Sequence, residues 1–176
     1  MNASARERAA RVKLLVLDVD GVLTDGGLYY GPDGQAMKRF HVQDGLGIKL
    51  AQAAGLVVAV ISGLDSPAVA ARVKDLGIED YHGGHLAKIP LLEGICARHG
   101  LSLEQAAFLG DDWVDAGVLS RVGLPMAVAN AQPEIVQRAA WVSTKPGGQG
   151  AVREAIRFIL EARGLLDGLW AEWEGR

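Results

Sequence analysis

One stretch decides the fold of this chain: Leu14-Leu15-Val16-Leu17-Asp18-Val19-Asp20-Gly21-Val22-Leu23-Thr24-Asp25-Gly26. Its first four residues are apolar and predict a strand buried on both faces, as in a parallel sheet. The run ends in two aspartates one residue apart, and in open α/β sheets chemistry collects at the carboxyl ends of the strands. The alternative is a solvated turn, because Asp and Gly are ordinary turn residues. The buried strand and the polar residues found downstream favour a functional site.

The composition indicates a single globular domain. At 176 residues, with 49% hydrophobic and 22% charged residues, the chain can bury a sizeable core and is ordinary for a soluble protein. We assign residues 1–176 to one domain, in which 1–12 are an N-terminal extension and 165–176 a C-terminal tail. Cys96 is the only cysteine and lies in an apolar helical pattern, so we expect a buried thiol rather than a disulfide or a thiolate metal site.

Charge and hydropathy exclude two classes of partner. The net charge of −3 comes without a basic stripe, which argues against nucleic acid. Residues 1–13 are charged and lack the apolar segment of a signal peptide, and no apolar run approaches the length of a membrane span. We therefore expect a cytoplasmic protein with no membrane partner.

Strand-like and helix-like segments alternate along the rest of the chain. After the first strand, two strand-like segments flank the turn Gly31-Pro32-Asp33-Gly34 and predict a β-hairpin. Further strands are predicted at 56–61, 80–82, 106–109, 125–129 and 141–143. Helices are predicted at 44–54 with Asp44 as the N-cap, and at 66–76, 86–99, 112–122, 133–140 and 151–163. This alternation predicts an α/β fold with a Rossmann-like, three-layer parallel sheet and right-handed crossovers.

Three of the predicted strands end in polar residues. Asp18 and Asp20 follow the first, Ser62 follows another, and Asp111 with Asp112 follows a third. Mg²⁺ prefers oxygen ligands and is usually bound by one or two carboxylates together with waters and substrate phosphate. The carboxylates of Asp18 and Asp111 could be the ligands of such an ion, together with the backbone carbonyl of Asp20. Asp112 could be a further ligand or could support the site.

The remaining polar residues suit a phosphoryl group. The Ser62 hydroxyl and the Gly63 N–H can donate to phosphate oxygens, and Lys88 can neutralise charge, which is what phosphoryl transfer requires. Each has a plainer interpretation: a loop for Ser62 and Gly63, a solvated lysine for Lys88, and a helical first turn for Asp115. The glycine run at 147–150 is no nucleotide loop, because no Gly-Lys-Ser/Thr follows it, and its plainer interpretation is a flexible turn into the last helix.

The order of these parts resembles the haloacid dehalogenase superfamily of phosphotransferases. That pattern is Asp-x-Asp-Gly-x-Leu-Thr at a strand end, then Ser-Gly, a lysine and Gly-Asp-Asp, and it is met here from Asp18 to Asp112. Within the superfamily, residues 18–26, the Asp-Gly-x-Gly-Ile turn at 44–48 and the Gly-Gly-x-Gly-Ala-Val-Arg run at 147–153 are similar to the 3-deoxy-D-manno-octulosonate 8-phosphate phosphatases. The resemblance covers roughly residues 12–165.

The resemblance implies a covalent mechanism in lipopolysaccharide sugar biosynthesis. Asp18 would be the nucleophile that becomes an aspartyl phosphate, and Asp20 the general acid and then the general base. The other implied roles are Mg²⁺ binding by Asp18, the Asp20 carbonyl and Asp111, phosphoryl binding by Ser62, Gly63 and Lys88, and support of the metal site by Asp112 and Asp115. The substrate would be a small phosphorylated sugar acid.

Leu64 departs from the family pattern, since these phosphatases usually carry arginine directly after the Ser-Gly pair. Either another basic residue compensates, with Arg153, Lys38 and Arg39 as candidates, or the enzyme prefers a different phosphorylated sugar acid. Arg153 is predicted to bind substrate in the same or an adjacent subunit, because arginine binds carboxylate or phosphate through paired donors. The alternatives are a nine-carbon keto-acid 9-phosphate, another small phosphate ester, or a catalytically silent oligomerisation module.

The intervals between the motifs leave no space for a cap domain over the site. The residues between Asp20 and Ser62 are used up by the hairpin, a helix and a strand, and those between Ser62 and Asp111 by two helices and strands. A neighbouring subunit can exclude water instead, and the resemblance implies a homotetramer. The apolar residues of 165–173 have helical spacing, which suits either docking on a partner or packing on the same domain.

Overall fold

Eight strands and eight α-helices make up the chain in the computed structural model, which describes residues 4–175, with only the backbone at 35–36. Residues 1–3 of the predicted N-terminal extension and residue 176 of the tail lie outside the described residues. The strands are β1 (Leu14–Leu17), β2 (Tyr29–Gly31), β3 (Gly34–Met37), β4 (Val57–Ile61), β5 (Asp80–His82), β6 (Ala106–Gly110), β7 (Leu124–Ala127) and β8 (Trp141–Val142). The helices are α1 (Ala5–Ala9), α2 (Val42–Ala53), α3 (Pro67–Asp75), α4 (Lys88–Arg98), α5 (Ala116–Leu119), α6 (Pro133–Arg138), α7 (Ala151–Ala162) and α8 (Leu166–Glu174).

Six strands form one parallel sheet in the order β5-β4-β1-β6-β7-β8. The strand β1 lies between β4 and β6, and Leu17 is aligned with Val60 on one side and Leu109 on the other. The carboxyl ends of these three strands therefore lie side by side. The register brings the residues that follow them, which the sequence marked as polar, to one edge of the sheet.

The two faces of β1 contact different helical layers, because successive side chains of a strand point to opposite faces. Leu15 and Leu17 pack in one apolar cluster with residues of α1, α2, α3 and α7. Leu14 and Val16 pack in a second cluster with residues of α4, α5 and α6. The predicted three-layer α/β fold is confirmed, and β1 is buried on both sides as its uninterrupted apolar run requires.

The predicted hairpin is confirmed as the antiparallel pair β2–β3. It stands directly after the turn that follows β1, and an isolated bridge between Thr24 and Phe40 closes its base. Between β1 and β4 the chain forms only this turn, the hairpin and α2, so these elements leave no cap domain over the sheet edge. The side chains of Leu28, Tyr30 and Met37 on the hairpin are exposed.

Asp44 does not cap its own helix, so that prediction is wrong. The helix α2 begins two residues earlier, at Val42, and Asp44 is buried within its first turn. Its carboxylate instead accepts hydrogen bonds from the backbone N–H of Gly150 at 3.2 Å and of Arg153 at 2.8 Å. Asp44 therefore caps α7, because α2 packs across the N-terminus of that helix.

The helix predicted at 112–122 is shorter than expected. A 3₁₀ turn at Trp113–Asp115 precedes α5, which ends at Leu119. At the C-terminus, Leu165, Leu166 and Leu169 pack against the core, so the tail folds on its own domain. Trp170 and Trp173 remain exposed on α8. None of the helices within residues 4–175 combines the length and the apolarity needed to cross a membrane.

Candidate active site

The chain leaves β1 in a single irregular helical turn, Val19–Leu23, which we call the catalytic turn. Gly21 adopts a φ of +89°, and a Cβ built there would lie 2.0 Å from Oδ2 of Asp111, so glycine is required on two counts. The Thr24 hydroxyl donates to the Val19 carbonyl at 3.2 Å and accepts from the Gly21 N–H at 3.4 Å. These bonds fix the backbone that carries Asp18 and Asp20.

Lys88 joins two buried carboxylates at the centre of the site. Its Nζ lies 2.6 Å from Oδ1 of Asp18 and 2.7 Å from Oδ1 of Asp115. Although burial acts against its positive charge, these two carboxylates together raise the pKa of Lys88, which stays protonated. The sequence left open a solvated surface position for this lysine, and the structure instead places its side chain against the expected nucleophile.

Asp18 and Asp111 lie in an environment with more negative charge than the described residues neutralise. Burial raises the pKa of Asp18 to about 7, and Asp115 adds to this rise while Lys88 opposes it. Burial, together with the charges of Asp18, Asp115 and Asp112, raises the pKa of Asp111 to about 8. Desolvation and like charges both disfavour the ionised form. An added cation would relieve both effects.

The acidic residues at the sheet edge form a compact oxygen cluster. One carboxylate oxygen each from Asp18, Asp111 and Asp115 lies within 4.8 Å of the others. Oδ1 of Asp111 is buried and has no hydrogen-bond partner among the described residues. A set made only of carboxylate oxygens, one of them buried and unpartnered, fits a hard divalent cation such as Mg²⁺.

Asp112 and Asp115 take different places, although the sequence paired them as supports. Asp115 is fully buried, and its Oδ2 accepts the backbone N–H of Asp111 at 3.0 Å. Asp112 is exposed, and its carboxylate accepts the N–H of Trp113 at 2.6 Å. Asp115 thus holds both Lys88 and the backbone of Asp111, whereas Asp112 forms a cap on the 3₁₀ turn.

Ser62, Gly63 and Leu64 follow β4 at the same edge of the sheet. Ser62 is buried, and its Oγ accepts the backbone N–H of Leu64 at 3.3 Å. Gly63 lies beside Leu86, since a Cβ on it would come 3.0 Å from the Cδ2 of that leucine. The Leu64 side chain is half exposed. The pairing of β4 with β1 therefore brings the hydroxyl and the following N–H groups to the edge of the sheet that carries the acidic cluster.

Asp20 is bound by a lysine from the hairpin, which the sequence considered only as a possible substrate contact. Nζ of Lys38 donates to Oδ1 of Asp20, and the lysine side chain is only 1% exposed, against 26% for the aspartate. Arg39 lies at the base of the hairpin, where it pairs with Asp25 at 3.1 Å and donates to the Gly148 carbonyl at 3.5 Å.

The glycine run at 147–150 is a turn that leads into α7, as its plainer interpretation predicts, and it is packed against the catalytic turn. A Cβ on Gly147 would lie 1.6 Å from the carbonyl oxygen of Gly21, which only glycine avoids. The Gly147 N–H donates to Oδ1 of Asn130 at 2.9 Å, and the Gly148 N–H donates to the Val22 carbonyl at 2.9 Å. Small residues in sequence were the only signal of this contact.

The structure does not bring Arg153 to the acidic cluster of its own chain. Its side chain lies against Gly47 and lines a groove of about 160 Å³ between α2, α7 and α8. Burial, with the neighbouring charge of Arg157, lowers the pKa of Arg153, against the pull of Asp44. A role of Arg153 in an adjacent subunit stays a prediction.

Comparison with known proteins gives one consistent result. The haloacid dehalogenase-like hydrolase family matches residues 82–156. The 3-deoxy-D-manno-octulosonate 8-phosphate phosphatase KdsC of Escherichia coli K12 is 39% identical over 167 residues, covering 95% of this chain and 89% of that protein. The corresponding phosphatase of Moraxella catarrhalis, solved with magnesium, phosphate and KDO, is 35% identical with a TM-score of 0.93, covering 96% and 97% of the two chains. The cobalt-bound phosphatase of Haemophilus influenzae is 42% identical with a TM-score of 0.87, covering 89% and 92%.

Proposed function

Since this chain belongs to the family of the 3-deoxy-D-manno-octulosonate 8-phosphate phosphatases, within the haloacid dehalogenase-like hydrolases, we propose that it hydrolyses that phosphate ester to the sugar acid and inorganic phosphate. One observation carries the proposal. Asp18 is held by Lys88 at the end of β1, beside Asp111 and two residues before Asp20. A nucleophilic carboxylate, a cation site and an acid–base carboxylate thus share one edge of the sheet.

In the first half of the reaction, a carboxylate oxygen of Asp18 attacks phosphorus. The bond between phosphorus and the sugar oxygen breaks, its electron pair stays on that oxygen, and the proton of the Asp20 carboxyl group neutralises the leaving alkoxide. Asp18 now carries the phosphoryl group. In the second half, Asp20 takes a proton from water as the water oxygen attacks phosphorus, and the Asp18 carboxylate leaves with its electron pair.

The cofactor is Mg²⁺, which Asp18 and Asp111 would bind through their carboxylates, and the Asp20 carbonyl would be the further ligand that the family resemblance implies. When bound, the cation neutralises the carboxylates and polarises the phosphoryl group. Asp115 supports this set, because it orients Lys88 and the backbone of Asp111. The fit rests on the oxygen-only cluster and on the unpartnered Oδ1 of Asp111.

The phosphoryl group would be bound from the side of β4. Donors there are the Ser62 hydroxyl and the backbone N–H groups of Gly63 and Leu64, while Lys88 supplies positive charge next to Asp18. The N–H of Leu64 now donates to the Ser62 hydroxyl, and a phosphate oxygen can take the place of that acceptor. Such preorganised donors stabilise the charge that develops on the equatorial oxygens.

Leu64 is the residue that bears on substrate identity. Its exposed side chain follows the phosphate-binding Ser62 and Gly63, and it cannot pair with a substrate carboxylate. Losing one charge-assisted hydrogen bond would lower affinity by roughly 1.5–3 kcal/mol, which is about one to two decades. Arg39 is a candidate to replace the arginine that is missing at position 64, because its half-exposed side chain lies at the hairpin base beside the glycine run at 147–150. We therefore keep the eight-carbon acid as the substrate.

The test compares kcat/KM for octulosonate 8-phosphate and for a nonulosonate 9-phosphate, in the native protein and in Leu64→Arg. We expect the native protein to prefer the eight-carbon ester and Leu64→Arg to gain affinity for it. A strong preference for the nine-carbon ester would show that the proposed substrate is wrong, whereas the proposed mechanism would still hold. Turnover of neither ester, nor of any other phosphate ester, would indicate a catalytically silent module.

We also propose that the active unit is a homotetramer in the cytoplasm, in which a neighbouring subunit covers the site. Large apolar side chains are exposed on the hairpin (Leu28, Tyr30) and on α8 (Trp170, Trp173), and contiguous exposed apolar surface is typical of interfaces. Arg153 would act on substrate across such an interface. Light scattering at the assay concentration tests the oligomeric state, and a fully active monomer would refute the proposal. Unchanged kinetics in Arg153→Ala would refute the proposed role of that residue.

A further inference from the structure

The hairpin inserts one charged side chain into the active site. Tyr30 and Met37 on its strands are exposed, whereas the side chain of Lys38, the next residue after β3, is almost completely buried. Burying an ammonium group is unfavourable unless it is paired. Its partner is Asp20, the carboxylate expected to transfer the proton. The hairpin thus makes a specific contact with the reaction centre.

The contact involves only one of the two oxygens of Asp20. Oδ1 accepts from Nζ of Lys38, and the Thr24 hydroxyl, which donates its proton to the Val19 carbonyl, lies 3.5 Å from the same oxygen. Among the described residues no hydrogen bond reaches Oδ2. A carboxyl group that is held by a buried lysine on one oxygen has a restricted orientation, and its other oxygen is free to carry the proton.

The position of Lys38 is itself fixed from both sides. Thr24 and Phe40 form the bridge that closes the hairpin base. Arg39, which follows Lys38 in the chain, is bound to Asp25 and to the carbonyl of Gly148. The hairpin base is therefore attached both to the catalytic turn and to the glycine run at 147–150. These attachments can hold Lys38 at a fixed position beside Asp20.

We propose that Lys38 is a positioning residue for proton transfer: it holds Oδ1 of Asp20, so that Oδ2 delivers the proton to the leaving sugar oxygen. This inference rests on the proposed function and deepens it. The proton passes from Oδ2 to the oxygen whose bond to phosphorus breaks, and Lys38 neither forms nor loses a covalent bond. In the first half-reaction, which kcat/KM reports, Lys38 acts only through Asp20, so its effect on kcat/KM must depend on how much the leaving group needs a proton.

The test varies the leaving group. Octulosonate 8-phosphate and glycerol phosphate release basic alkoxides that need a proton, whereas p-nitrophenyl phosphate releases a stable anion that does not. General acid catalysis contributes typically about 10²–10⁴-fold. In Lys38→Met we expect kcat/KM for the two alkyl phosphates to fall by about 10² or more, while kcat/KM for p-nitrophenyl phosphate changes less than about threefold.

Two further variants serve as controls. Lys38→Arg keeps a donor at this position and should recover part of the alkyl phosphate activity. Lys74→Met removes an exposed lysine of α3 and should leave all three substrates unchanged. Thermal unfolding with and without Mg²⁺ verifies that Lys38→Met is folded and binds the cation.

The outcomes separate this inference from its premises. An equal loss of kcat/KM on all three substrates would overturn it in favour of a structural role. A rise in KM confined to octulosonate 8-phosphate, with unchanged kcat, would instead make Lys38 a contact of the substrate carboxylate. If the native protein hydrolyses glycerol phosphate but not octulosonate 8-phosphate, the proposed substrate fails while the inference is still decided by the other two esters. Hydrolysis of p-nitrophenyl phosphate alone would overturn both.

Discussion

Replacing Asp44 with alanine removes a buried carboxylate that holds the first turn of α7. Its oxygens accept the N–H of Gly150 at 3.2 Å and of Arg153 at 2.8 Å. Hydrogen bonds to charged groups contribute roughly 1.5–3 kcal/mol each. Burial offsets part of this sum, because it disfavours the ionised carboxylate and raises the pKa of Asp44. An N-cap is worth about 0.5–2 kcal/mol, and the alanine variant also leaves buried N–H groups unpaired, so we expect the free energy of unfolding to fall by about 2–4 kcal/mol.

Urea unfolding at neutral pH measures this loss. Asp44→Asn keeps one acceptor oxygen without the charge and should lose about half as much as Asp44→Ala. Asp75→Ala, at the exposed end of α3, removes a comparable side chain and should change stability by less than about 0.5 kcal/mol. The reasoning is refuted if Asp44→Ala costs no more than this control, or if the asparagine and alanine variants unfold at the same urea concentration.

Three further outcomes follow from the site. Burial and like charges raise the pKa of Asp18 to about 7 and of Asp111 to about 8, so the stability they contribute without metal is present at low pH and is lost as pH rises through these values. Mg²⁺ binds the ionised carboxylates, so the difference in Tm between Mg²⁺ and EDTA should grow from about pH 6 to pH 8, and a pH-independent difference would contradict this cause. Asp111→Asn should abolish most of that difference together with turnover, and an unchanged Mg²⁺ response would exclude Asp111 as a ligand. Gly147→Ala should lower kcat/KM by about 10² because it displaces the catalytic turn, while Gly94→Ala, with room for a methyl group in α4, should not.

The central sheet could be predicted because each of its main strands corresponds to a short, continuous run of apolar residues. The apolar runs at β1, β4 and β6 are uninterrupted and end in polar residues, so both the strands and their functional ends were evident. Parallel pairing then brings Asp18, Ser62 and Asp111 to one edge without further information. The hairpin was equally local, since the Gly-Pro-Asp-Gly turn specifies it.

Contacts between distant segments could not be predicted in the same way. Asp44 satisfies the pattern of an N-cap in its own neighbourhood, and only the packing of α2 on α7 shows that it caps a different helix. Lys38 follows an exposed strand, and its burial on Asp20 depends on how the hairpin folds back. The contact of Gly147 with Gly21 joins segments far apart in the chain. Spacing along the sequence carries no signal of such contacts.

The most direct test of covalent catalysis at Asp18 uses the Asp20→Asn variant, which cannot activate water for the second half-reaction. Acid-quenched mixtures of this variant with Mg²⁺ and p-nitrophenyl phosphate, whose leaving group needs no proton from Asp20, are digested, and the peptides are analysed by mass spectrometry. The account predicts one added phosphoryl group on the peptide that contains Asp18, and none in the Asp18→Asn, Asp20→Asn double variant. A phosphoryl group on another residue, or turnover of the ester by the native protein with no phosphoenzyme in the Asp20 variant, would contradict it.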